Sequence, residues 1–548
     1  MKKVRILSLI LIFILVFSMT VFAEENVTSA GPEKTIQIIH TNDVHARVTE
    51  NDSAGMGYAK LAALAADIAA KSGTEPILVD AGDALHGQTI ATLERGESIV
   101  NIMNQVGYDV MAPGNHDFNY GSERLLELAQ KASFEIISAN IKKADGSNFL
   151  KAYTILERNG VKIAFFGLTT PETTYKTNPK NVVGLTFSDP VKEAEAMVNE
   201  LKNQADVIVC VSHLGLDKAS EITSQLVAEK VRGIDLIIDG HSHTELAEPL
   251  KVNDTVIVQT GEYLKNAGTV QIFLDAENNI TAIKASLVTK EQAAGIPADE
   301  GVLSAINSYN EAQKTILSEV IAKSDIQFDG ERANVRTGPT NLACLITTAM
   351  VETTGADMAI TNGGGIRASI EPGDITRGDI VTVLPFGNYI VTKKMKGSDI
   401  LAALEHGLSV YPDANGAFPQ VANAEYLFDA SKPAGQRVIY VRVKGEKLDL
   451  NREYVVATND FMAAGGDDYP FAGLPLVNEY QALDEALIQY ITAHPDELRY
   501  TTYTIRPGDA LWKIARKTGH FWLELARINK LENPDLIYAG DELLIPAW

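Results

Sequence analysis

Apolar residues recur with two different periods, which alternate along residues 34–290. Short runs rich in β-branched and other apolar residues, such as Ile77–Val79 and Lys162–Phe166, predict buried strands. Longer stretches with an apolar residue at every third or fourth position, such as Tyr58–Ala70 and Asp189–Gln204, predict helices. This alternation is typical of a mixed α/β domain with a layered sheet, which we predict for residues 34–290.

The pattern changes twice further along the chain. An apolar-periodic segment from Val302 to Ala322 predicts a long helix, and we interpret residues 296–325 as a linker between two domains. A second α/β region follows at residues 326–497, with apolar segments such as Met358–Ile360 and Tyr454–Thr458. Residues 501–547 are a third block, which we expect to be small and separate.

Clusters of acidic and histidine residues stand in the first region, most of them directly after a β-branched run. They are His-Thr-Asn-Asp-Val-His at 40–45, Asp-Ala-Gly-Asp at 80–83, Gly-Asn-His-Asp at 114–117, Ser-His at 212–213 and Gly-His-Ser-His at 240–243. An open α/β sheet builds its site from residues at the carboxyl ends of its strands. Carboxylate, imidazole and amide ligands without thiolate suit Mn, Zn, Fe or Mg. Six of the ten histidines fall in these clusters, which favours a metal site over scattered polar residues.

The charges in these clusters match a phosphate ester as the substrate. Two divalent ions bring four positive charges, and Asp43 and Asp83 cancel two of them, so the remainder balances a phosphate dianion. Such a metal pair can activate a hydroxide and polarise the phosphoryl oxygens. The pattern therefore predicts a metal-dependent phosphoesterase.

Composition limits the partners and the location of the chain. With 548 residues, two or three domains are expected, and the net charge of −23 would repel nucleic-acid polymers and anionic membranes. Residues 1–23 combine a basic start, an apolar run and a small-residue ending, which predicts a secretory signal peptide, with an uncleaved anchor as the alternative. No later segment is apolar enough to predict a stable membrane span. We expect no disulfide between Cys210 and Cys344, which fall in different regions.

In their order along the chain, the acidic-histidine clusters resemble those of calcineurin-like metallophosphoesterases. Four later motifs resemble the nucleotide-binding domain of the 5′-nucleotidase/UDP-sugar hydrolase family: Glu-Arg-Ala-Asn-Val-Arg at 331–336, Asn-Gly-Gly-Gly-Ile-Arg at 362–367, Pro-Phe-Gly-Asn at 385–388 and Phe-Met-Ala-Ala-Gly-Gly-Asp at 461–467. The resemblance covers roughly residues 35–493 and implies a layered αββα domain followed by a second α/β domain that binds the substrate.

The resemblance also implies a role for each residue of a two-metal site. Its ions would be Mn, Zn, Co or Mg, held as follows: Asp43, His45 and His243 on one ion, Asp83 as the bridge, and Asn115, His213 and His241 on the second. His116 would contact the phosphoryl group as a transition-state stabiliser or general acid. Many relatives carry a carboxylate three residues after this histidine, whereas this chain has Asn119, which can orient His116 but cannot stabilise its charged form.

In the second domain, the resemblance places Phe386 and Phe461 on either side of a base, whose loose recognition would follow from stacking. Asp467 would accept hydrogen bonds from ribose. The phosphates would meet Arg332, Arg336 and Arg367, with Asn362 and Asn388 adding neutral hydrogen bonds. The alternatives are core packing for the phenylalanines and a plain tight turn for the three glycines at 363–365. We expect His86 to be a surface residue, with contact to the substrate as the alternative.

The tail from Tyr503 to Pro546 resembles a complete LysM module. Its order of strand, Pro-Gly-Asp turn, two short helices and closing strand implies a βααβ fold, with a core that we predict from Leu511, Ile514, Leu525, Ile528 and Leu544. Similar modules bind glycans that contain N-acetylglucosamine, such as peptidoglycan.

Together these features predict a secreted two-metal nucleotide phosphohydrolase of the 5′-nucleotidase type that is associated with the cell wall through its tail. It would release nucleosides and phosphate, and UDP-sugars are a further expected substrate class. The alternatives are a 2′,3′-cyclic-nucleotide phosphodiesterase with 3′-nucleotidase activity, which Asn119 favours, and a glycan-binding surface protein with a redundant enzyme-like body.

Overall fold

The computed structural model describes residues 34–50, 55–217 and 220–548. The predicted signal peptide at residues 1–23 lies outside the described residues. Among the helices of the described ranges, none combines the length and the hydrophobicity that a bilayer span requires.

The first domain contains fourteen strands and seven α-helices within its described residues. The strands are β1 (Lys34–Thr41), β2 (Ile77–Asp80), β3 (Val110–Met111), β4 (Glu135–Ile136), β5 (Ile141–Lys143), β6 (Tyr153–Arg158), β7 (Val161–Thr169), β8 (Leu185–Phe187), β9 (Val207–His213), β10 (Leu236–Ile238), β11 (Leu250–Val252), β12 (Thr255–Val258), β13 (Asn266–Leu274) and β14 (Ile280–Thr289). The helices are α1 (Tyr58–Ser72), α2 (Thr89–Thr92), α3 (Glu97–Val106), α4 (Ser122–Lys131), α5 (Pro190–Leu201), α6 (Ser224–Lys230) and α7 (Lys290–Ala293).

Two six-stranded sheets lie face to face at the centre of this domain. Their strand orders are β14-β13-β1-β2-β3-β4 and β11-β12-β10-β9-β7-β6. Apolar side chains from both sheets, such as Ile38, Val79, Phe165 and Val209, form one buried cluster. Residues of α1, α3 and α4 pack on the outer face of the first sheet, and residues of α5 and α6 on the outer face of the second. The predicted αββα layering is therefore confirmed.

The linker helix is shorter than the apolar pattern predicts. Helix α8 spans Glu300–Leu317, begins at an Asp299 side chain that accepts a hydrogen bond from the Val302 amide, and packs against α1 and α3. Residues 320–324 form strand β15 (Val320–Ser324) rather than the last helical turn. The prediction of a helix to Ala322 was wrong because a short apolar run suits either structure, and pairing with a neighbouring strand decides between them.

The second domain is built on a five-stranded sheet. Its remaining strands are β16 (Met358–Asn362), β17 (Gly373–Thr376), β18 (Tyr389–Lys396), β19 (Pro419–Ala422), β20 (Ala424–Phe428), β21 (Val438–Val443), β22 (Glu446–Lys447), β23 (Glu453–Asn459) and β24 (Leu476–Ala482). Its helices are α9 (Arg332–Val335), α10 (Asn341–Thr354), α11 (Arg377–Val383), α12 (Gly397–Gly407), α13 (Asp460–Ala463) and α14 (Leu483–Ala493). The sheet has the order β19-β16-β23-β18-β24, and one buried cluster contains α10 and α14 whereas the other contains α12.

The tail folds as β25 (Tyr500–Thr504), α15 (Leu511–Thr518), α16 (Trp522–Ile528) and β26 (Glu542–Pro546), the predicted βααβ order. Its core contains Leu511, Ile514 and Leu525 as predicted, but Leu544 is 41% exposed, and Leu543 and Ile545 point inward instead. Because side chains alternate between the two faces of a strand, an error of one position exchanges the whole set.

The tail packs against the second domain. Phe521 joins a hydrophobic cluster of the second domain, with its ring centroid 5.1 Å from that of Tyr426. The C-terminal Trp548 packs on Phe328 at 5.3 Å between ring centroids. The tail thus has its own sheet and core and is docked on the second domain through the buried Phe521 and the half-buried Trp548.

Candidate metal centre and second-domain binding face

The acidic-histidine clusters meet where parallel strands of both sheets end. Asp43 follows β1 and Asp83 follows β2, which pair in parallel, and the Asn115–Asp117 segment follows β3. In the second sheet, His213 ends β9, and His241 lies just beyond β10, its parallel neighbour. The carboxyl ends of the strands therefore deliver all of these side chains to one crevice.

The side chains of this crevice approach each other closely enough to share metal ions. The ligand atoms of two sets lie within 4.8 Å of one another: Asp43 with His45 and His243, and Asp43 with Asp83 and His213. Nε2 of His213 is 3.2 Å from Asp83 and 3.9 Å from Asp43, and Nε2 of His243 is 3.4 Å from Asp43. Because Asp43 belongs to both sets, the two candidate positions adjoin.

The donor atoms fit a pair of divalent cations. Nε2 of His213 and Oδ1 of Asn115 are buried without a hydrogen-bond partner among the described residues, which is costly unless a ligand satisfies them. Five of the predicted ligands also have a positive φ: Asp43, His45, Asp83, His241 and His243. Such strained backbone conformations concentrate at functional sites. A mixed set of carboxylate, imidazole and amide oxygen suits a hard or borderline divalent ion.

The carboxylates of the centre are held in their charged form. Burial alone would raise the pKa of Asp83, but the imidazoles of His213 and His116 outweigh it and hold the pKa well below its usual value. Asp117 has a structural role: its carboxylate accepts hydrogen bonds from the backbone amides of Asp83, Leu85 and Gly114. It thereby ties the loops after β2 and β3 together.

The structure gives His241 two partners that no sequence motif indicates. Its Nε2 lies 3.0 Å from Oε2 of Glu172 and 3.1 Å from Nζ of Lys176, and its ring centroid is 5.0 Å from that of His213. His241 is thus at the edge of the centre, outside the two closest ligand sets. Glu262 similarly contacts Nδ1 of His243 at 2.8 Å. Glu172 lies in a short 3-10 helix (Pro171–Thr174) and Glu262 in a loop, and no sequence pattern distinguished either carboxylate from a surface residue.

His116 lies in a network of hydrogen bonds around Asn119. The Asn119 amide nitrogen is 3.1 Å from Nδ1 of His116 and 3.1 Å from Nδ1 of His86, and its oxygen accepts from the Thr177 hydroxyl at 2.8 Å. The Thr177 contact assigns the NH₂ group to the two imidazoles. His86 is fully buried, so the expectation of a surface residue was wrong.

Two residues of the second domain reach His116. The Tyr389 ring centroid is 4.4 Å from that of His116, and Oε2 of Glu479 is 3.4 Å from its Nε2. Burial raises the pKa of Glu479 to about 8, with the charges of Asp83 and Asp460 adding to the shift. No sequence pattern indicates either residue, because both approach from strands of a different domain.

The polar residues predicted to bind a nucleotide come together on one face of the second domain. Burial and the charges of Arg332 and Arg367 both lower the pKa of Arg336, as expected for three neighbouring guanidinium groups. Nε of Arg336 is a buried donor without a hydrogen-bond partner among the described residues. The Asn362 amide donates to Asp467 at 2.7 Å.

The two phenylalanines of this face are not in the core. Phe386 is 47% exposed and Phe461 is 45% exposed, which argues against the core-packing alternative. The Arg367 guanidinium lies 5.5 Å from the Phe386 ring centroid, and the Phe461 ring lies against Gly466. Asn388 lines a small cavity with Phe386 and Gly365, and the three glycines form a single 3-10 turn between β16 and Ile366.

Three models of known protein families match successive parts of the chain. They are calcineurin-like phosphoesterase at residues 36–245, the 5′-nucleotidase C-terminal domain at 320–473, and the LysM domain at 503–546. Calcineurin-like phosphoesterases bind two divalent metal ions, which agrees with the ligand sets described above. The chain is therefore a metal-dependent phosphoester hydrolase.

Individual relatives cover most of the chain. Protein UshA of Yersinia enterocolitica is 33% identical over 84% of this chain and 91% of its own length. The trifunctional nucleotide phosphoesterase YfkN of Bacillus subtilis is 33% identical over 79% of this chain, which spans only 32% of that longer protein. The solved NAD nucleotidase of Haemophilus influenzae superposes with a TM-score of 0.68 at 26% identity, covering 84% of this chain and 97% of that one. The chain belongs to the 5′-nucleotidase family of metallophosphoesterases, to which it adds a C-terminal LysM domain.

Proposed function

We propose that this protein is an exported 5′-nucleotidase that hydrolyses nucleotides to nucleosides and phosphate at the cell wall. The observation that carries the proposal is the pairing of two sites in one chain. A buried metal centre with unpartnered ligand atoms lies in the first domain, and a face with exposed phenylalanines beside three arginines lies in the second. Metal chemistry alone suits any phosphate ester, whereas the second face suits an ester that also carries a flat base.

Asp43, His45 and His243 would hold one ion, Asp83 would bridge, and Asn115, His213 and His241 would complete the second position. When bound, the two ions supply Lewis-acid stabilisation of the phosphoryl oxygens and a nucleophilic hydroxide at neutral pH. The chain itself adds His116. Because Nδ1 of His116 accepts a hydrogen bond from Asn119, a neutral His116 carries its N–H on Nε2 and can donate a hydrogen bond to a phosphoryl oxygen.

The second-domain face would hold the rest of the substrate. Phe386 and Phe461 would stack on the base, and Asp467 would accept hydrogen bonds from the ribose hydroxyls. Arg332, Arg336 and Arg367 would bind phosphate oxygens, with Asn362 and Asn388 as neutral partners. Stacking tolerates any base, so we propose a broad nucleotide range that includes UDP-sugars.

The two ends of the chain support a location outside the cell. Residues 1–23 have the composition of a signal peptide, and the LysM domain supports attachment to a glycan that contains N-acetylglucosamine, such as peptidoglycan. On that domain Trp512 is 47% exposed and Tyr538 is 60% exposed, so aromatic faces remain free to pack on sugar rings.

A second candidate function is hydrolysis of 2′,3′-cyclic nucleotides followed by 3′-nucleotidase activity. It is favoured by Asn119, which stands beside His116 where many relatives have a carboxylate. An amide donor at Nδ1 disfavours the imidazolium form of His116, so the chemistry at this position differs from that of relatives with a carboxylate there.

A substrate panel separates the two functions. The purified mature chain, loaded in turn with Mn, Zn, Co and Mg, is assayed on AMP, UDP-glucose, 3′-AMP and 2′,3′-cyclic AMP. We expect the highest kcat/KM on AMP. A higher value on 2′,3′-cyclic AMP would establish the second function instead, and phosphate release from p-nitrophenyl phosphate alone would contradict both.

A further inference from the structure

A side chain of the LysM domain holds the segment that carries two of the three arginines. Arg527 on α16 donates from Nη1 to the carbonyl oxygens of Asn334 at 3.2 Å and Pro339 at 3.0 Å. Its Nη2 lies 3.4 Å from Oδ1 of Asn334. Arg332 and Arg336 stand on this segment, on either side of Asn334. A guanidinium group is suited to such multiple bonding because its donors are fixed in one plane.

The second domain secures the same segment from its other side. The Gln420 amide donates to the carbonyl oxygens of Val335 and Gly338, both at 2.8 Å. The Asn334 amide donates to Asp329 at 2.8 Å. Gln420 of the second domain and Arg527 of the LysM domain thus both donate to backbone carbonyls of the segment 332–339. Helix α9, at the start of this segment, is only 4 residues long.

The approach of Arg527 is close and belongs to an extensive contact. A Cβ added to Gly338 would come within 2.7 Å of Nη1 of Arg527, so glycine makes room for the guanidinium. On the same helix, Glu524 is 1% exposed and contacts the Cys344 thiol of α10. The Tyr500 hydroxyl at the start of β25 accepts from the Asn341 amide at 2.8 Å. The LysM domain therefore meets the second domain through α16, the residue before it, Phe521, and the first strand.

We propose that Arg527 is a positioning residue for the phosphate-binding arginines Arg332 and Arg336, so that the LysM domain contributes to nucleotide recognition as well as to glycan attachment. The inference rests on the proposed function, because it requires these arginines to bind nucleotide phosphate. Preorganised donors bind an anion more tightly than the same donors on a mobile turn, since less conformational entropy is lost on binding. Without Arg527 the charges remain, but their positions are less defined.

Steady-state kinetics on the metal-loaded mature chain test this inference. AMP reports on the phosphate and the base together, whereas adenosine, measured as a competitive inhibitor, reports on the base and ribose alone. We expect Arg527→Ala to raise KM for AMP about tenfold, in the range found when the partner behind a contacting residue is removed. We expect kcat and the inhibition constant of adenosine to change less than about twofold, because the contacts that position the phenylalanines and Asp467 are not altered.

Three further variants make the test specific. Arg527→Lys keeps the charge but loses the planar fork, so its KM should lie between the wild-type and alanine values. Gly338→Ala changes the other partner of the contact and should also raise KM for AMP. Its Cβ would displace the Arg527 guanidinium although the arginine itself is retained. Arg506→Ala, an exposed arginine of the same domain, should match the wild type.

The outcomes are distinct. An unchanged KM for AMP in both Arg527→Ala and Gly338→Ala would overturn the positioning role. Equal weakening of AMP and adenosine would also overturn it, because a general loss of domain structure has that effect. A wild-type chain that hydrolyses no nucleotide would contradict the proposed function itself, and this inference would fall with it.

Discussion

The metal centre and the second-domain face differ in burial, and the difference fits the roles that we propose for them. Asp43 and His213 are fully buried, whereas Phe386 and Phe461 expose almost half of their surface. Charges that must stabilise a transition state act most strongly where water is excluded and their positions are fixed in advance. A surface that must accept different bases gains from open aromatic rings that any base can cover.

The two sites also differ in what holds them in place. Strand ends and the buried Asp117 carboxylate position the metal centre within one domain. The arginine segment of the second face is a turn, and it is secured by residues of two folded units, Gln420 and Arg527. We therefore expect substitutions at the metal centre to abolish activity, and substitutions at the second face to alter substrate preference or stability.

The largest effect is expected for Asp83→Ala. Asp83 is 2% exposed, its carboxylate lies 3.2 Å from Nε2 of His213 and accepts a hydrogen bond from the His116 backbone amide at 2.8 Å, so its loss removes a loop contact together with the ligand that we propose to bridge the two ions. We expect loss of both ions and a fall in phosphate release of more than about 100-fold, beyond the cost of losing a supporting partner. Elemental analysis and an AMP assay measure this, with exposed Asp145→Ala as the control. Two retained ions with full activity would contradict the bridging role.

Phe461→Ala should show the opposite behaviour, a loss that depends on the substrate. Stacking of a base on an aromatic ring contributes about 1–3 kcal/mol, so kcat/KM for AMP should fall about 5–150-fold. Hydrolysis of p-nitrophenyl phosphate, which has no nucleobase, should change little. Trp512→Ala, a similarly exposed aromatic residue of the LysM domain, serves as the control. Equal losses on both substrates would mean that Phe461 has a structural role.

Glu524→Gln tests how far the second domain depends on the docked LysM domain. Burial raises the pKa of Glu524 to about 8 from an ordinary value of about 4.5, and the groups around it are Cys344, His520 and Tyr500. The folded protein keeps the proton that the unfolded chain releases, so stability is complete below about pH 4.5 and falls as pH rises towards 8. Glutamine cannot ionise and should remove this loss.

We expect thermal unfolding of Glu524→Gln to match the wild type at pH 4.5 and to occur at higher temperature at pH 8. The gain in unfolding free energy at pH 7 should be about 1–3 kcal/mol. Exposed Glu532→Gln in the same domain should show no such gain. A stability difference that is the same at both pH values would show that Glu524 does not carry the titration.

The smallest expected effect is a pH shift in Asn119→Asp. Burial lowers the pKa of His116, and a carboxylate at its Nδ1 would oppose that by favouring the charged form. If His116 acts as an acid, the alkaline limb of kcat/KM should move upward by about one pH unit. The measurement compares both proteins at matched metal occupancy, because metal-bound water also titrates in this range. An alkaline limb that stays at the same pH would show that His116 is not the titrating group.

Sequence patterns predicted several central strands, such as β2 and β7, and the clustering of polar residues at strand ends, because both depend on local periodicity. Helix α1 begins at Tyr58 as expected and β9 ends at His213. Patterns failed where two structures suit the same residues. The run at 320–324 pairs as a strand, Leu544 faces outward, and His86 is buried behind Asn119. In each case the deciding contact comes from a residue distant in the chain.

The amino-acid sequence by itself determined the α/β layering, the order of the motifs and the chemistry of the candidate ligands. These properties follow from hydrophobic period and from side-chain type, which are local. Only the tertiary structure decided that Glu172 and Glu262 stand behind the histidines, that Glu479 reaches His116, and that Arg527 holds the arginine segment. Such contacts join loops, strands and domains that lie far apart in the chain, and their formation depends on how the layers pack rather than on any repeating pattern.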